Sequence, residues 1–119
     1  MLRVYSYKNC STCRDALKWL AKNSISCEVV EIRETPPSVI ELAFAYQHSG
    51  DIKKLLNTSG QDYREMGLKD RLDALKNDEV FALIQKNGNL CKRPFLIDTD
   101  AGISLTGFHQ DQWRNQLLD

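Results

Sequence analysis

Between Leu2 and Leu20 the apolar period changes from two residues to 3.6. In "LRVYSY" (2–7), Leu2, Val4 and Ser6 alternate with Arg3, Tyr5 and Tyr7, the pattern of a strand rich in β-formers. From Cys13 onward, Ala16, Leu17 and Leu20 recur at i+3, i+4 and i+7, the stripe of an amphipathic helix. A strand that feeds straight into a helix needs a second strand to return to. "CEVVEI" (27–32) supplies it, and the handedness of such crossovers sets it parallel to the first.

The next stretch is helical. "ETPPSVIELAFAYQHSG" opens with Pro36 and Pro37, offers Thr35 or Ser38 as N-cap, and places Val39, Leu42, Ala43 and Tyr46 on one face before Gly50. Residues 51–88 read as three short helical pieces broken at Asn57 to Gly60, at Gly67 and at Asn77, the last running to Asn87-Gly88. "RPFLID" and "GISLTGF" then form two strands joined by the turn residues Thr99, Asp100, Ala101 and Gly102. "QDQWRNQLL" closes the chain as a helix with Trp113 and Leu117 on one face. The order βαβ, insertion, ββα is that of an α/β thioredoxin-like fold. It is expected as a single domain over 1–119, with a helical insertion of about 36–88 between the second and third strands.

A chain of 119 residues that is 42% hydrophobic can bury roughly 60 to 70% of its unfolded surface without metal or disulfide staples. Sixteen basic and sixteen acidic side chains cancel and no basic block stands apart, which argues against direct nucleic-acid binding. No apolar run reaches the ~18 residues of a membrane span, and "MLRVYSYKNC" lacks the features of a signal peptide. The expectation is a cytoplasmic protein with no membrane partner. In that compartment a Cys-x-x-Cys is more often catalytic, redox-sensing or metal-binding than a permanent bridge.

Cys10 and Cys13 form such a pair at the strand-to-helix switch. With the helix beginning near Ser11 or Thr12, Cys10 sits among unpaired backbone N–H groups at the positive end of the helix dipole, which favour a thiolate. Lys8 and Arg14 add weakly in the same sense. Cys13 begins the apolar stripe, so it should be less exposed, yet near enough to attack a mixed disulfide on Cys10. The pair divides into attacker and resolver. Two alternatives stand beside this reading: two small buried residues, or half a zinc site. The other candidate ligands, Cys27, Cys91, His48 and His109, form no second close pair, so no metal is expected. Cys27 is expected to be buried at the start of its strand, and both histidines at the surface or at helix ends.

"CKRPFLID" is the second informative segment. Pro94 opens the third strand, a position usually cis in this fold, and shapes the wall facing the thiols. Arg93 beside it could bring a guanidinium near Cys10 to stabilise a thiolate or fork onto an oxyanion; alternatively it is a solvated strand-end charge. In "NTSGQDY", Asn57, Thr58 and Ser59 read as helix caps and Gly60 as a positive-φ turn. The functional alternative is a rim in which Asn57 and Ser59 orient a thiol such as glutathione.

Five ordered segments, "YKNCSTCRDALKWL", "TPPSVIEL", "LLNTSGQDYREMGLKDRL", "KRPFLID" and "GFHQDQW", span nearly the whole chain. Together they resemble the arsenate reductase-related family, which also holds the Spx and MgsR type redox regulators. The resemblance implies a thioredoxin-like fold with a helical insertion. It matches the family's motif cysteine to Cys10 and its strand-opening arginine and proline to Arg93 and Pro94. Ser11, Thr12, Pro94, Asn57 and Ser59 then border the partner groove. The glutathione/glutaredoxin-linked arsenate reductases carry arginines where this chain has Asn57 and Gly107, which speaks against arsenate as substrate, and they lack an internal resolver such as Cys13. The implied activity is thiol–disulfide exchange without a bound cofactor. Its partner is a thiol reductant, glutathione or thioredoxin, or a protein disulfide. The Spx-like alternative implies a redox switch that binds the C-terminal domain of the RNA polymerase α subunit.

Overall fold

The structure, a computed structural model, describes residues 1–118. Its strands are β1 (Arg3–Ser6), β2 (Glu28–Glu31), β3 (Phe95–Asp98) and β4 (Ile103–Thr106). Its helices are α1 (Ser11–Lys22), α2 (Val39–Ser49), α3 (Gln61–Glu65), α4 (Leu68–Arg71), α5 (Asn77–Lys86) and α6 (Gln110–Leu117). Short 3-10 turns cover Ile52–Leu55, Leu72–Ala74 and Gly88–Leu90. The sheet order is β2-β1-β3-β4, with β1 parallel to β2 and antiparallel to β3, and β3 antiparallel to β4. This is the expected thioredoxin-like arrangement, with α2 to α5 lying between β2 and β3.

Because successive residues of a strand face opposite sides, the two central strands feed two cores. Val4 and Leu96 pack with Ala16, Trp19 and Leu20 of α1 and with Trp113 of α6. Tyr5, Phe95 and Ile97 pack on the other side with Leu42, Ala45, Leu55, Phe81 and Ile84. Trp113 is fully buried and its indole N–H donates to the Gly107 carbonyl at 3.0 Å, which fixes α6 against the end of β4.

Ser38, not Thr35, caps α2. Its Oγ accepts the Glu41 N–H and the Glu41 carboxylate accepts the Ser38 N–H, the reciprocal capping box. Glu41 also accepts the Tyr5 hydroxyl at 2.6 Å and pairs with Arg3 at 3.2 Å. These inward bonds rotate the helix so that Leu42 and Ala45 are buried while Val39, expected on the inner face, is 43% exposed.

Three further expectations are corrected. Gly60 has φ −80, and Asn57, Thr58 and Ser59 make no side-chain cap on α3. A Cβ at 60 would lie 2.7 Å from Asn57 Nδ2, so the Asn57 side chain packs over the glycine; the left-handed glycines of the helical insertion are Gly50 and Gly67. Cys27 is only half-buried, since it leads into β2, an edge strand.

Candidate functional site

The chain leaves β1 at Ser6, and the Cys10 N–H closes a turn onto the Tyr7 carbonyl at 3.0 Å. Cys10 is the N-cap of α1 in extended conformation, and its Sγ accepts the Cys13 N–H at 3.2 Å. The cysteine sulfur thus takes the place a serine or aspartate oxygen fills at ordinary N-caps, facing backbone donors where negative charge is favoured. Arg14 directs its guanidinium to the Lys8 carbonyl at 2.7 Å.

Cys13 lies one turn further in and is fully buried. Burial first, and then the hydrogen bond with the Cys10 side chain, push its thiol up to about 11. At neutral pH it therefore holds its proton, and both cysteines are free thiols. Cys91 is also buried and its thiol is pushed up strongly by desolvation, so it is a packing residue.

A recess of about 370 Å³ opens over Cys10. Ser11, Thr12, Asn57 and Arg93 line it together with Cys10, so the structure brings these five anticipated residues into one place. Cys13 lies beneath the floor and Pro94, after a cis peptide bond, is buried behind the wall. Ser59 is not part of the lining: it is exposed, and its carbonyl accepts the Arg64 guanidinium at 2.8 Å, which turns the loop outward there.

Sequence reasoning missed Tyr7, Asn9 and Lys92, which complete the lining. Tyr7 ends the alternating run of "LRVYSY", and that position in the run gave no sign of its role. Its hydroxyl accepts from Asn9 at 3.1 Å and from Arg33 at 2.7 Å, and the Asn9 bond first, then the Arg33 charge, hold the phenol below its usual range. The Arg33 and Arg93 guanidinium carbons lie 4.9 and 5.3 Å from the Tyr7 ring centroid, within cation–π range.

Arg93 is thereby positioned by an aromatic ring. Its Nη1 is buried without a hydrogen-bond partner, an orphan donor of the kind that an anion or oxyanion satisfies. Asp62 feels the same positive charge: its carboxyl is held low by hydrogen bonds from Asn87 and Asn89 and then by the charges of Arg33 and Arg93. Lys92 supplies a second cation to the recess. Its Cε lies 3.2 Å from where a Cβ on Gly107 would sit, so the glycine leaves room that the lysine chain uses. Among the described residues no group of three or more His, Cys, Asp or Glu is placed to hold a metal ion.

A model of the ArsC family matches residues 5–116, from the end of β1 through α6. The chain belongs to the ArsC family. ArsC relatives resemble it along nearly its whole length. The Bacillus subtilis protein YusI is 42% identical over 113 residues, covering 94% of each chain. The global transcriptional regulator Spx of Listeria monocytogenes is 28% identical over 118 residues, covering 98% of this chain and 87% of Spx. Among solved structures, that of a possible arsenate reductase from Streptococcus mutans superposes with a TM-score of 0.84 at 38% identity, over 92% of each chain. The likeness therefore runs toward a possible arsenate reductase and toward the Spx regulators alike. No helix among the described residues is long and apolar enough to cross a membrane.

Proposed function

We propose that this ArsC-family chain is a small cytoplasmic thiol–disulfide oxidoreductase in which Cys10 attacks and Cys13 resolves. The carrying observation is the pairing of a half-exposed Cys10 sulfur, 3.2 Å from the Cys13 N–H at the start of α1, with a Cys13 thiol buried beneath it. In the reducing direction the Cys10 thiolate attacks a disulfide RSSR, forming Cys10–S–S–R and releasing RS⁻. The Cys13 thiol, losing its proton, then attacks the Cys10 sulfur, closes the Cys10–Cys13 bond and releases the second RS⁻. Two electrons pass from the dithiol to RSSR, and two equivalents of glutathione, or a thioredoxin dithiol, return them. No bound cofactor is needed.

Arg93 and the α1 N-terminus stabilise the attacking thiolate, and the buried orphan Nη1 supports an anionic group in the recess. Ser11, Thr12 and Asn57 offer polar contacts around it, and Pro94 backs the partner groove. Arsenate is a poor substrate in this reading, since Asn57 and Gly107 carry no charge. The test is to treat wild type and Cys13→Ser with oxidised glutathione and record intact masses. Cys13→Ser accumulates a glutathione adduct on Cys10 and wild type proceeds to an internal disulfide; equal, stable adducts in both proteins would refute the resolver.

One observation favours a second reading. Spx relatives align over almost the whole chain, so the same thiol pair would switch a surface that binds the C-terminal domain of the RNA polymerase α subunit. Retention of the chain on a column of that domain, altered by oxidation, would support it; absence of retention in both redox states would exclude it.

A further inference from the structure

Beside the Cys10 recess lies a larger cleft of about 540 Å³, bounded by α2, β4, α6 and the Ile52–Leu55 turn. Its walls carry Lys53, Lys54 and Lys92 together with His48 and His109, and no aspartate or glutamate. In a chain whose charges cancel overall, this is a marked local excess of positive charge. Among the described residues none of these three lysines forms a salt bridge. The α6 N-terminus adds to it: His109 is its N-cap and makes no side-chain bond to the first N–H groups. His48 is otherwise engaged, its two ring nitrogens each 3.2 Å from a backbone carbonyl, Phe44 and Gly102.

Lys92 belongs to the walls of both cavities. A ligand whose charged body rests in the cleft can therefore pass a short arm over Lys92 into the recess. The volume suits a small molecule. We infer that this cleft binds the anionic body of a low-molecular-weight thiol or its disulfide, one bearing several carboxylates, and presents its sulfur to Cys10. The inference rests on the dithiol reading and names its substrate class. The step is the exchange already written: Cys10 displaces one RS⁻ from RSSR and keeps the other RS group, with the carboxylates of R held by Lys53, Lys54 and Lys92.

The test uses the full chain in a Cys13→Ser/Cys27→Ser background, in which Cys10 is the accessible thiol. Three disulfide probes are compared: dianionic 5,5′-dithiobis(2-nitrobenzoate), neutral 2,2′-dipyridyl disulfide and dicationic cystamine. Each rate is divided by that of N-acetylcysteine amide with the same probe. The normalised rate is expected to be on the order of tenfold or more higher for the anionic than for the cationic probe, and to lose that excess in roughly 0.5 to 1 M salt. Replacing Lys53→Gln and Lys54→Gln, both exposed, should lower the anionic-to-neutral ratio. A ratio unchanged by these substitutions, or equal normalised rates for all three probes, overturns the cleft assignment while leaving the dithiol intact. A Cys10 inert toward all three, the neutral probe included, overturns the dithiol reading and this inference with it.

Discussion

The backbone N–H of Cys13 donates to Cys10 Sγ at 3.2 Å, while the sulfur of Cys13 itself is closed off from solvent. One residue thus stabilises its partner through the main chain and withholds its own side chain. The labelling order follows. Iodoacetamide at pH 7 should modify Cys10 first and Cys27, half-buried and shifted upward by desolvation, more slowly. Cys13 and Cys91 should react only on unfolding. Peptide mapping over time checks this, and Cys13 labelling as fast as Cys10 would contradict the burial described.

The Cys13 thiol sets a pH dependence with a definite sign. Its value rises on folding from an ordinary 9.0 to about 11, so the folded state holds this proton more tightly. The associated stability is fully present below about pH 9 and is lost as pH rises through about 11. Urea midpoints from pH 8 to 11 should fall, with a shallower fall in Cys13→Ala. Parallel profiles for the two proteins would remove Cys13 as a cause.

Gly88 carries no room for a side chain. A Cβ there would meet the Ile32 carbonyl oxygen at 1.9 Å, where the Gly88–Leu90 turn crosses the end of β2. Backbone cannot yield as a flexible side chain can, so Gly88→Ala should cost about 3 kcal/mol. Thermal melts measure it, and a Tm within about 2 °C of wild type would show that the crossing can open.

Glu41 joins a helix cap to the sheet. It closes the α2 capping box and accepts the Tyr5 hydroxyl, whose phenol is pushed up to about 12 by burial and then by this carboxylate. Glu41→Ala should cost about 2 kcal/mol: the Ser38 cap on the residue-41 N–H survives, but the reciprocal half of the capping box is lost and the Tyr5 hydroxyl is left without its acceptor. It should also bring the Tyr5 titration back toward 10, read by ultraviolet absorbance.

Sequence pattern made the sheet legible because its strands and α1 obey clear periods, and the Cys10 motif sits where one period gives way to the other. Cys10, Ser11, Thr12 and Arg93 were legible for the same reason: helix start and strand start are marked locally. Ser59 and Val39 were not, because their orientation depends on contacts distant in sequence or outside their pattern, Arg64 on the Ser59 carbonyl and Tyr5 on Glu41. Tyr7 and Lys92 acquire their role only when residues 33, 57 and 93 converge on them, which no single window shows.

The central claim is that Cys10 and Cys13 form one two-electron couple. The most direct measurement is a redox titration of wild type, Cys10→Ser and Cys13→Ser, with free thiols trapped by an alkylating mass tag and counted by intact-mass spectrometry. The account predicts the loss of two tags together in wild type, with a midpoint of roughly −180 to −300 mV, and no such transition in either variant. All four tags retained across that whole range in wild type, or a two-tag transition persisting in Cys13→Ser, would contradict it.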